Sequence, residues 1–299
     1  MDPSMDMAAL AERLRGHVAV LAAGPRLPGS DGHRRAAAYI RERLDHAGFS
    51  VRESRFRESG FAGVNLLAGP VPDRPELPLL IVGAHYDSVP GSPGADDNAS
   101  AVAALLELAA WVGPAAAGGG VESRLLLAAY DLEEFGLVGS YVHSREIQKA
   151  GVELRGMVSL EMLGYADATP GSQRLPPHLI GLYPDVGNFI GVCGNEASRG
   201  LVETVAEGMK SVPGLPVESL AVPGNGEMLA EVRLSDHSSF WDRGYQALMV
   251  TDTSFFRNPH YHQASDTPAT LDYPFLARVT AGVCAAVGRL LEAERAGGR

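Results

Sequence analysis

The segment LPLLIVGAHYDSVPGSPGADDN, residues 77–98, decides how the rest of the chain is interpreted. Its first six residues form a continuous apolar run, which is typical of a strand buried on both faces. The run is followed by His85 and Asp87, and after a Pro/Gly turn the acidic pair Asp96-Asp97 precedes a helical pattern. Charged side chains there are costly unless they are paired, and a divalent metal ion pairs carboxylates and imidazoles well. Because ligands of open α/β sheets bind beyond the carboxyl ends of the strands, the segment predicts half of a metal site.

Three further apolar segments end in acidic residues. They are residues 124–130, followed by Asp131, Glu133 and Glu134; residues 157–160, followed by Glu161; and residues 247–250, followed by Thr251 and Asp252. Apolar strands alternate with helical patterns, and neither a repeat nor a sharp change of composition divides the chain. This pattern predicts the α/β class: a single three-layer domain over residues 1–299, with a mostly parallel, twisted central sheet flanked by helices. We expect an N-terminal helix within residues 1–24 and a catalytic core over residues 25–290.

The remaining segments are assigned from periodicity and from turn residues. Helices are predicted over 5–23, 33–47 (capped by Asp31), 99–112, 202–209 and 274–294, and strands over 50–58 and 64–67. A flexible link is predicted at 115–120, a loop over 166–179, and a loop with strand segments over 214–234.

Composition limits the classes of partner. The chain has a net charge of −11 and no basic run, which argues against nucleic acid and against an anionic membrane surface. The N-terminus has acidic residues where a signal peptide needs basic ones, and no run looks long enough to span a bilayer, so we expect a cytoplasmic protein. Cys193 and Cys284 both lie in apolar surroundings, and two buried thiols are the favoured interpretation over a disulfide.

The strand-end residues have the composition of a metal centre. Histidine, aspartate and glutamate without cysteine suit zinc or another divalent ion. Shared carboxylates with one imidazole for each metal are typical of two-metal hydrolases. Two adjacent acids such as Glu133 and Glu134 can divide the work, one binding metal and the other accepting a proton from water.

Six short motifs in a fixed order carry a family resemblance. HYDSV, GADDNAS, YDLEEFG, SLEMLGY, SDHSSF and NPHYHQASDT together resemble the dizinc aminopeptidase family, metallopeptidase clan MH, whose relatives include leucyl aminopeptidases, glutamate carboxypeptidases and glutaminyl cyclases. The resemblance covers roughly residues 25–290. It implies a zinc-exopeptidase-like fold, two zinc ions (with cobalt or manganese as substitutes), and a peptide substrate with a free N-terminus. It implies nothing about oligomeric state.

The resemblance also implies which residues bind the metals. His85 would bind one zinc ion and His262 the other, with Asp97 bridging both. Glu134 would complete the site of His262, and Glu161 that of His85. Many aminopeptidases of this type have Asp where this chain has Glu161, whereas relatives with other substrates also use Glu there. This difference weakens the expectation of strict aminopeptidase activity but not that of metal binding.

The same family resemblance implies the catalytic residues and the residues that support the metal ligands. Glu133 would be the general base, and Tyr261 would donate a hydrogen bond to the developing oxyanion. Four aspartates are expected around the metal ligands: Asp87, which would orient His85, and Asp236, Asp252 and Asp266.

Several alternatives stay open. The same scaffold could carry a carboxypeptidase, an aminoacylase or a glutaminyl cyclase, and more remotely a non-catalytic binding module. His260 competes with His262 for the second metal. Asp96, Asp131 and Asp252 are interpreted as caps or turn residues, with a supporting place at the site equally open for Asp252. Ser235, Asp236 and His237 are consecutive and therefore cannot form a catalytic triad.

Overall fold

The computed structural model of the protein describes residues 5–117 and 123–292. Within these ranges lie eight strands: β1 (Val51–Glu58), β2 (Phe61–Val71), β3 (Leu79–His85), β4 (Arg124–Tyr130), β5 (Leu154–Glu161), β6 (Ile190–Asn195), β7 (Val217–Val222) and β8 (Ala247–Thr251). They also contain seven α-helices: α1 (Met7–Leu21), α2 (Asp31–His46), α3 (Ala101–Ala117), α4 (Val138–Lys149), α5 (Arg199–Lys210), α6 (His237–Trp241) and α7 (Tyr273–Glu292).

All eight strands form one mixed sheet in the order β1-β2-β4-β3-β5-β8-β6-β7. The central strands β4, β3, β5 and β8 are parallel to one another, as are β6 and β7. The outer pairings of β1 with β2, β2 with β4 and β6 with β8 are antiparallel. Because the four central strands run in one direction, their carboxyl ends meet at one edge of the sheet. The predicted α/β class with a largely parallel centre is confirmed.

Helices cover the sheet on both faces. The larger core joins α1, α2, α3, α5 and α7 to one face, and its strand residues include Leu80, Val82 and Val250. On the opposite face α4 and α6 pack through Ile147, Phe240 and Trp241. The central strands are buried on both sides, which explains why their sequences are uninterrupted apolar runs.

Some local predictions differ from the structure. Strand β6 was not predicted, because Gly191 and Gly194 interrupt its apolar pattern. The N-cap of α2 is Ser30, whose side chain accepts from the His33 amide, rather than Asp31. The link expected at residues 115–120 is wrong at its start, since α3 continues to Ala117; residues 118–120 lie outside the described residues.

The expectation that no segment is long enough to span a bilayer is also wrong for α7. Residues Tyr273–Leu291 have a mean hydropathy of 1.4, and by length and composition alone they could span a bilayer. However, 72% of this stretch is buried inside the protein, where it packs on α1, α3 and α5. A helix that is apolar because it lies in a core has the same composition as a membrane helix.

Candidate metal centre

Five predicted metal ligands converge at the carboxyl edge of the central strands. Their ligand atoms form two groups, each with all atoms within 4.8 Å of one another. We call His85, Asp97 and Glu161 the inner donor group, and Asp97, Glu134 and His262 the outer donor group. Asp97 belongs to both.

In the inner donor group two of the three predicted ligands come from strand ends. His85 is the last residue of β3 and Glu161 the last residue of the neighbouring β5. The Nε2 atom of His85 lies 3.2 Å from Asp97 Oδ1 and 3.4 Å from Glu161 Oε1. All three side chains are buried. The other carboxylate oxygen of Glu161 accepts a hydrogen bond of 2.8 Å from Ser235, which fixes its direction.

In the outer donor group the ligands come from loops. His262 Nε2 lies 3.1 Å from Asp97 Oδ2 and 3.1 Å from Glu134 Oε2. The two oxygens of Asp97 therefore point to different histidines, which is the arrangement of a bridging carboxylate.

The donor atoms fit a cation better than they fit one another. Within the described part of the chain, His262 Nε2 makes no hydrogen bond of acceptable geometry despite its two close carboxylate oxygens, and neither does Glu134 Oε1. Buried polar atoms without a partner are rare in folded proteins. Three carboxylates and two imidazoles that converge on shared points, with no sulfur, are a donor set suited to zinc.

The electrostatics of the five side chains lead to the same conclusion. Burial raises the pKa of Glu134 to about 7, and the neighbouring Asp97 adds to this shift. Burial opposes ionisation of Asp97, yet the contacts with His262 and His85 outweigh it and lower the pKa of this carboxyl. The pKa of His262 is raised to about 10, because Asp97 and Glu134 overcome the effect of burial. The histidines thus carry the compensating positive charge that a divalent ion would supply.

Glu133 and Tyr261 face the same space but belong to neither donor group. Glu133 Oε2 lies 3.9 Å from His85 Nε2, and burial raises the pKa of this carboxyl well above its usual value. The Tyr261 ring stacks on the His262 ring with centroids 3.7 Å apart. Burial and the nearby Asp97 raise the pKa of the Tyr261 phenol, so it keeps its proton and remains a donor.

Asp87 holds the segment that carries the adjacent acids. Its two oxygens accept hydrogen bonds from the backbone amides of Glu133 and Glu134, at 3.1 and 3.2 Å. Asp87 Oδ1 also lies 3.4 Å from His85 Nδ1, although without hydrogen-bond geometry. Asp87 therefore positions the two glutamates at least as directly as it orients His85.

Asp266 supports the bridging residue. It accepts hydrogen bonds from the backbone amides of Asp96 and Asp97, at 2.9 and 3.1 Å. Asp252 accepts from the amide of Tyr165 at 2.8 Å, and from that of Ser254, two residues further on, in the turn expected for it.

The cap or turn interpretation is wrong for Asp96 and Asp131. Asp96 is fully buried and accepts from Gly164 and Asn258, which ties the loop that carries Asp97 to two distant segments. Asp131 accepts from His33 and from the Val64 amide. These are long-range contacts, which sequence spacing alone does not reveal.

The segment from Ser235 to His237 forms no triad, as predicted. Ser235 bonds Glu161, while His237 Nε2 lies 2.8 Å from the Val232 carbonyl oxygen. Asp236 is fully buried, and among the described residues its carboxylate oxygens lack a hydrogen-bond partner of good geometry. Burial raises the pKa of Asp236 to about 7, and His85 partly offsets this.

His260 belongs to neither donor group. Its Nδ1 atom lies 2.9 Å from Ser265 Oγ, and its ring packs edge-on against Tyr165. Of the two histidines in this loop, His262 is therefore the one that the structure brings to the carboxylates.

Arg26 is the supporting residue that sequence reasoning missed. Its buried guanidinium donates to the carbonyl oxygens of Tyr86 (2.8 Å), Pro93 (2.5 Å) and Gly94 (2.9 Å), with a longer contact to that of Asp97 (3.4 Å). It thereby fixes the loop between the ligands His85 and Asp97. A lone arginine in the Pro/Gly segment GPRLPG gave no signal of this function.

A cleft opens beside the donor groups. Its lining includes Asp97, Glu133, Glu134, Glu161 and Tyr261, and then a largely apolar wall that contains Leu179, Tyr183, Phe189, Leu220, Met249 and Phe256. The donor atoms are therefore accessible to a substrate from one side.

A comparison with models of known protein families shows to which family the chain belongs. Residues 65–287 match the model of Peptidase family M28. The chain belongs to this family. The family, fold and enzyme class predicted from the six motifs, a metallo-exopeptidase, are thus confirmed.

Two curated relatives illustrate the range of similarity. This chain is 37% identical over 269 residues to the uncharacterized protein YfbL of Escherichia coli. The match covers 85% of this chain and 79% of YfbL. It is 33% identical over 230 residues to the probable lipoprotein aminopeptidase LpqL of Mycobacterium tuberculosis, covering 70% of this chain but only 42% of LpqL.

Solved structures share the fold at low identity. The LapA aminopeptidase of Legionella pneumophila superposes with a TM-score of 0.75 at 19% identity, covering 95% of this chain and 74% of LapA. A glutaminyl cyclase of Porphyromonas gingivalis superposes with a TM-score of 0.71 at 19% identity, covering 93% of this chain and 98% of the cyclase. At this identity the likeness concerns the fold alone.

Proposed function

We propose that the protein is a zinc-dependent aminopeptidase that removes N-terminal residues from peptides. The observation that carries the proposal is that Asp97 offers one oxygen to each of two complete donor groups. Family M28 and the aminopeptidase relatives support the same activity.

The five ligands would hold two zinc ions, with His85 and Glu161 on one, His262 and Glu134 on the other, and Asp97 between them. When bound, such a pair of ions lowers the pKa of a water molecule and polarises the carbonyl group of the substrate. The remaining steps fall to side chains of the protein.

Glu133 is the proposed general base. It faces the donor groups without belonging to either, and its raised pKa suits a group that must both accept and return a proton. It would accept a proton from the attacking water and deliver it to the leaving amine. Its carboxylate and that of Glu161 are also the groups available to bind the free α-amine of the substrate.

Tyr261 is the proposed oxyanion donor. Stacking on His262 fixes its ring, and its protonated hydroxyl faces the same cleft. A donor that is fixed before reaction stabilises charge that develops in the transition state without reorganisation.

A glutaminyl cyclase on this scaffold is the nearest alternative. We expect a glutaminyl cyclase to bind a single zinc ion, whereas the two donor groups here share a carboxylate and provide three candidate ligands each. The purified protein should therefore contain about two zinc ions per chain and hydrolyse aminoacyl anilides. One ion per chain, with cyclisation of N-terminal glutamine in place of hydrolysis, would favour the cyclase.

We further propose a cytoplasmic location. Cys193 and Cys284 are both free thiols, which suits a compartment that keeps cysteines reduced. Cell fractionation with an antibody against the protein tests this.

A further inference from the structure

The floor of the cleft is the part of the sheet formed by β8, β6 and β7, where loop residues lie over one face. On β8 and β6 alternate residues line the cleft, Met249 and Thr251 on β8 and Gly191 and Cys193 on β6. On the edge strand β7 the lining residues are Glu218, Ser219 and Leu220. The residues between them, such as Val192 and Val250, belong to the large core on the other face. On the cleft side, loop residues such as Leu179 and Val232 form the wall in place of a helix.

One row of this floor leads away from the metal ligands. Glu161 on β5 pairs with Thr251 on β8, Thr251 with Gly191 on β6, and Gly191 with Glu218 on β7. Residues paired across neighbouring strands face the same side of a sheet. The row therefore begins with a carboxylate at the proposed amine site and ends with a second carboxylate three strands away.

The middle of the row is open. Gly191 has no side chain, and the atoms nearest to the position of a Cβ atom there belong to Thr251, at 3.3 Å, and to Cys193, at 3.8 Å. Between Thr251 and Glu218 the row therefore carries no side chain, and a ligand can lie on this part of the floor. The next row, Met249, Cys193 and Leu220, supplies an apolar surface beside it.

The length of the row matches one kind of residue. Strands about 4.8 Å apart place the backbones of Glu161 and Glu218 roughly 14 Å from each other. An extended lysine or arginine spans roughly 7 Å from its α-amine to its side-chain cation, given bonds of about 1.5 Å. Contacts of about 2.9 Å at each end bring the total to roughly 13 Å. Leucine or methionine would fill the apolar part and leave Glu218 without a partner.

Glu218 is suited to bind a cation. It is half-buried, and no side chain among the described residues forms an ion pair or a hydrogen bond with its carboxylate. Tyr183 packs nearby and fixes the wall, since its hydroxyl donates to the Ser219 carbonyl oxygen at 2.9 Å. A second acid, Glu231, also lines the cleft. Long basic side chains commonly lay their methylene groups on apolar surface while the charged end reaches a polar group.

We propose that the cleft selects substrates whose N-terminal residue is arginine or lysine, with Glu218 binding the side-chain cation. This inference rests on the proposed aminopeptidase function and adds the class of side chain that is cleaved. Glu218 acts as a specificity residue and takes no part in the chemistry at the donor groups.

The test compares 4-nitroanilides of arginine, lysine, leucine and methionine with the zinc-loaded protein. For the unmodified protein, kcat/KM for arginine and lysine should exceed that for leucine and methionine by roughly tenfold or more. Glu218→Gln keeps the size of the side chain and removes the charge. It should lower kcat/KM for the two basic substrates by about tenfold and leave the two apolar ones within about twofold.

Two further variants serve as controls. Glu203→Gln changes an exposed glutamate on α5, and it should not alter the ranking of substrates. Gly191→Val fills the middle of the row and should disfavour all four long side chains relative to alanine 4-nitroanilide.

The outcomes separate the two proposals. A preference of the unmodified protein for leucine over arginine, or a basic preference that Glu218→Gln leaves intact, would overturn the selection by Glu218 while the aminopeptidase activity stands. Failure to hydrolyse any of these anilides with zinc bound would contradict the aminopeptidase function itself.

Discussion

The two donor groups share Asp97 but are built from different parts of the fold. In the inner donor group, His85 is 1% exposed, and His85 and Glu161 are both paired within the central sheet, with Tyr130 and Thr251. In the outer donor group, the His262 side chain is 34% exposed, and both Glu134 and His262 lie on loops. His262 also has a φ of 59°, an uncommon backbone conformation for a residue other than glycine. The sheet thus prearranges one site, whereas loop geometry must hold the other.

The largest expected effect concerns a residue outside both groups. Glu133→Gln should lower kcat by roughly a thousandfold, because the general base is lost. Zinc content should stay unchanged, since Glu133 contributes to neither donor group. Steady-state kinetics and metal analysis on the same sample test this, with Glu203→Gln as the matched control. Retained activity would remove Glu133 from the proposed function.

The next effect separates the two groups directly. His262→Ala should reduce bound zinc from about two ions per chain to about one, because the inner donor group keeps all three ligands. Stepwise addition of a chelator to the unmodified protein should likewise remove one ion before the other, and zinc or cobalt should restore activity. Simultaneous release of both ions by the chelator would contradict the inference that the two donor groups bind zinc with different affinities.

A pH dependence follows from His262. The pKa of this imidazole in the metal-free protein is about 10, so at neutral pH an ion must displace a proton to bind the outer donor group. Zinc affinity of this group should therefore rise as the pH increases from 7 towards 10. Calorimetric titration in buffers of different ionisation enthalpy measures the protons released. A zinc affinity that falls or stays constant over this pH range would contradict the assignment of His262 as a zinc ligand.

The smallest effect tests the fixed direction of an inner ligand. Ser235→Ala removes the 2.8 Å hydrogen bond to Glu161, a bond of about 1 kcal/mol, and should reduce activity by roughly fivefold. Ser238→Ala is a suitable control, because among the residues that the structure describes its hydroxyl bonds only the Ser235 carbonyl oxygen. An effect of the Ser238 variant as large as that of the Ser235 variant would indicate a general loss of stability.

The same contrast explains what the sequence could predict. Ligands at strand ends, such as His85 and Glu161, are visible because an apolar run stops abruptly at a charged residue. Ligands on loops, such as His262, needed the order of the family motifs. The contacts of Arg26 and Asp96 could not be predicted, since they depend on segments that are far apart in sequence. Strand β6 was missed because its glycines, one of which opens the cleft floor, break the strand pattern.

The central claim is that two ions share Asp97. A crystal structure of the zinc-loaded protein, with anomalous data collected on both sides of the zinc absorption edge, tests it most directly. Two anomalous peaks are expected, one bound by His85, Asp97 and Glu161 and the other by Asp97, Glu134 and His262. A single peak, or a zinc ion bound without Asp97, would contradict it.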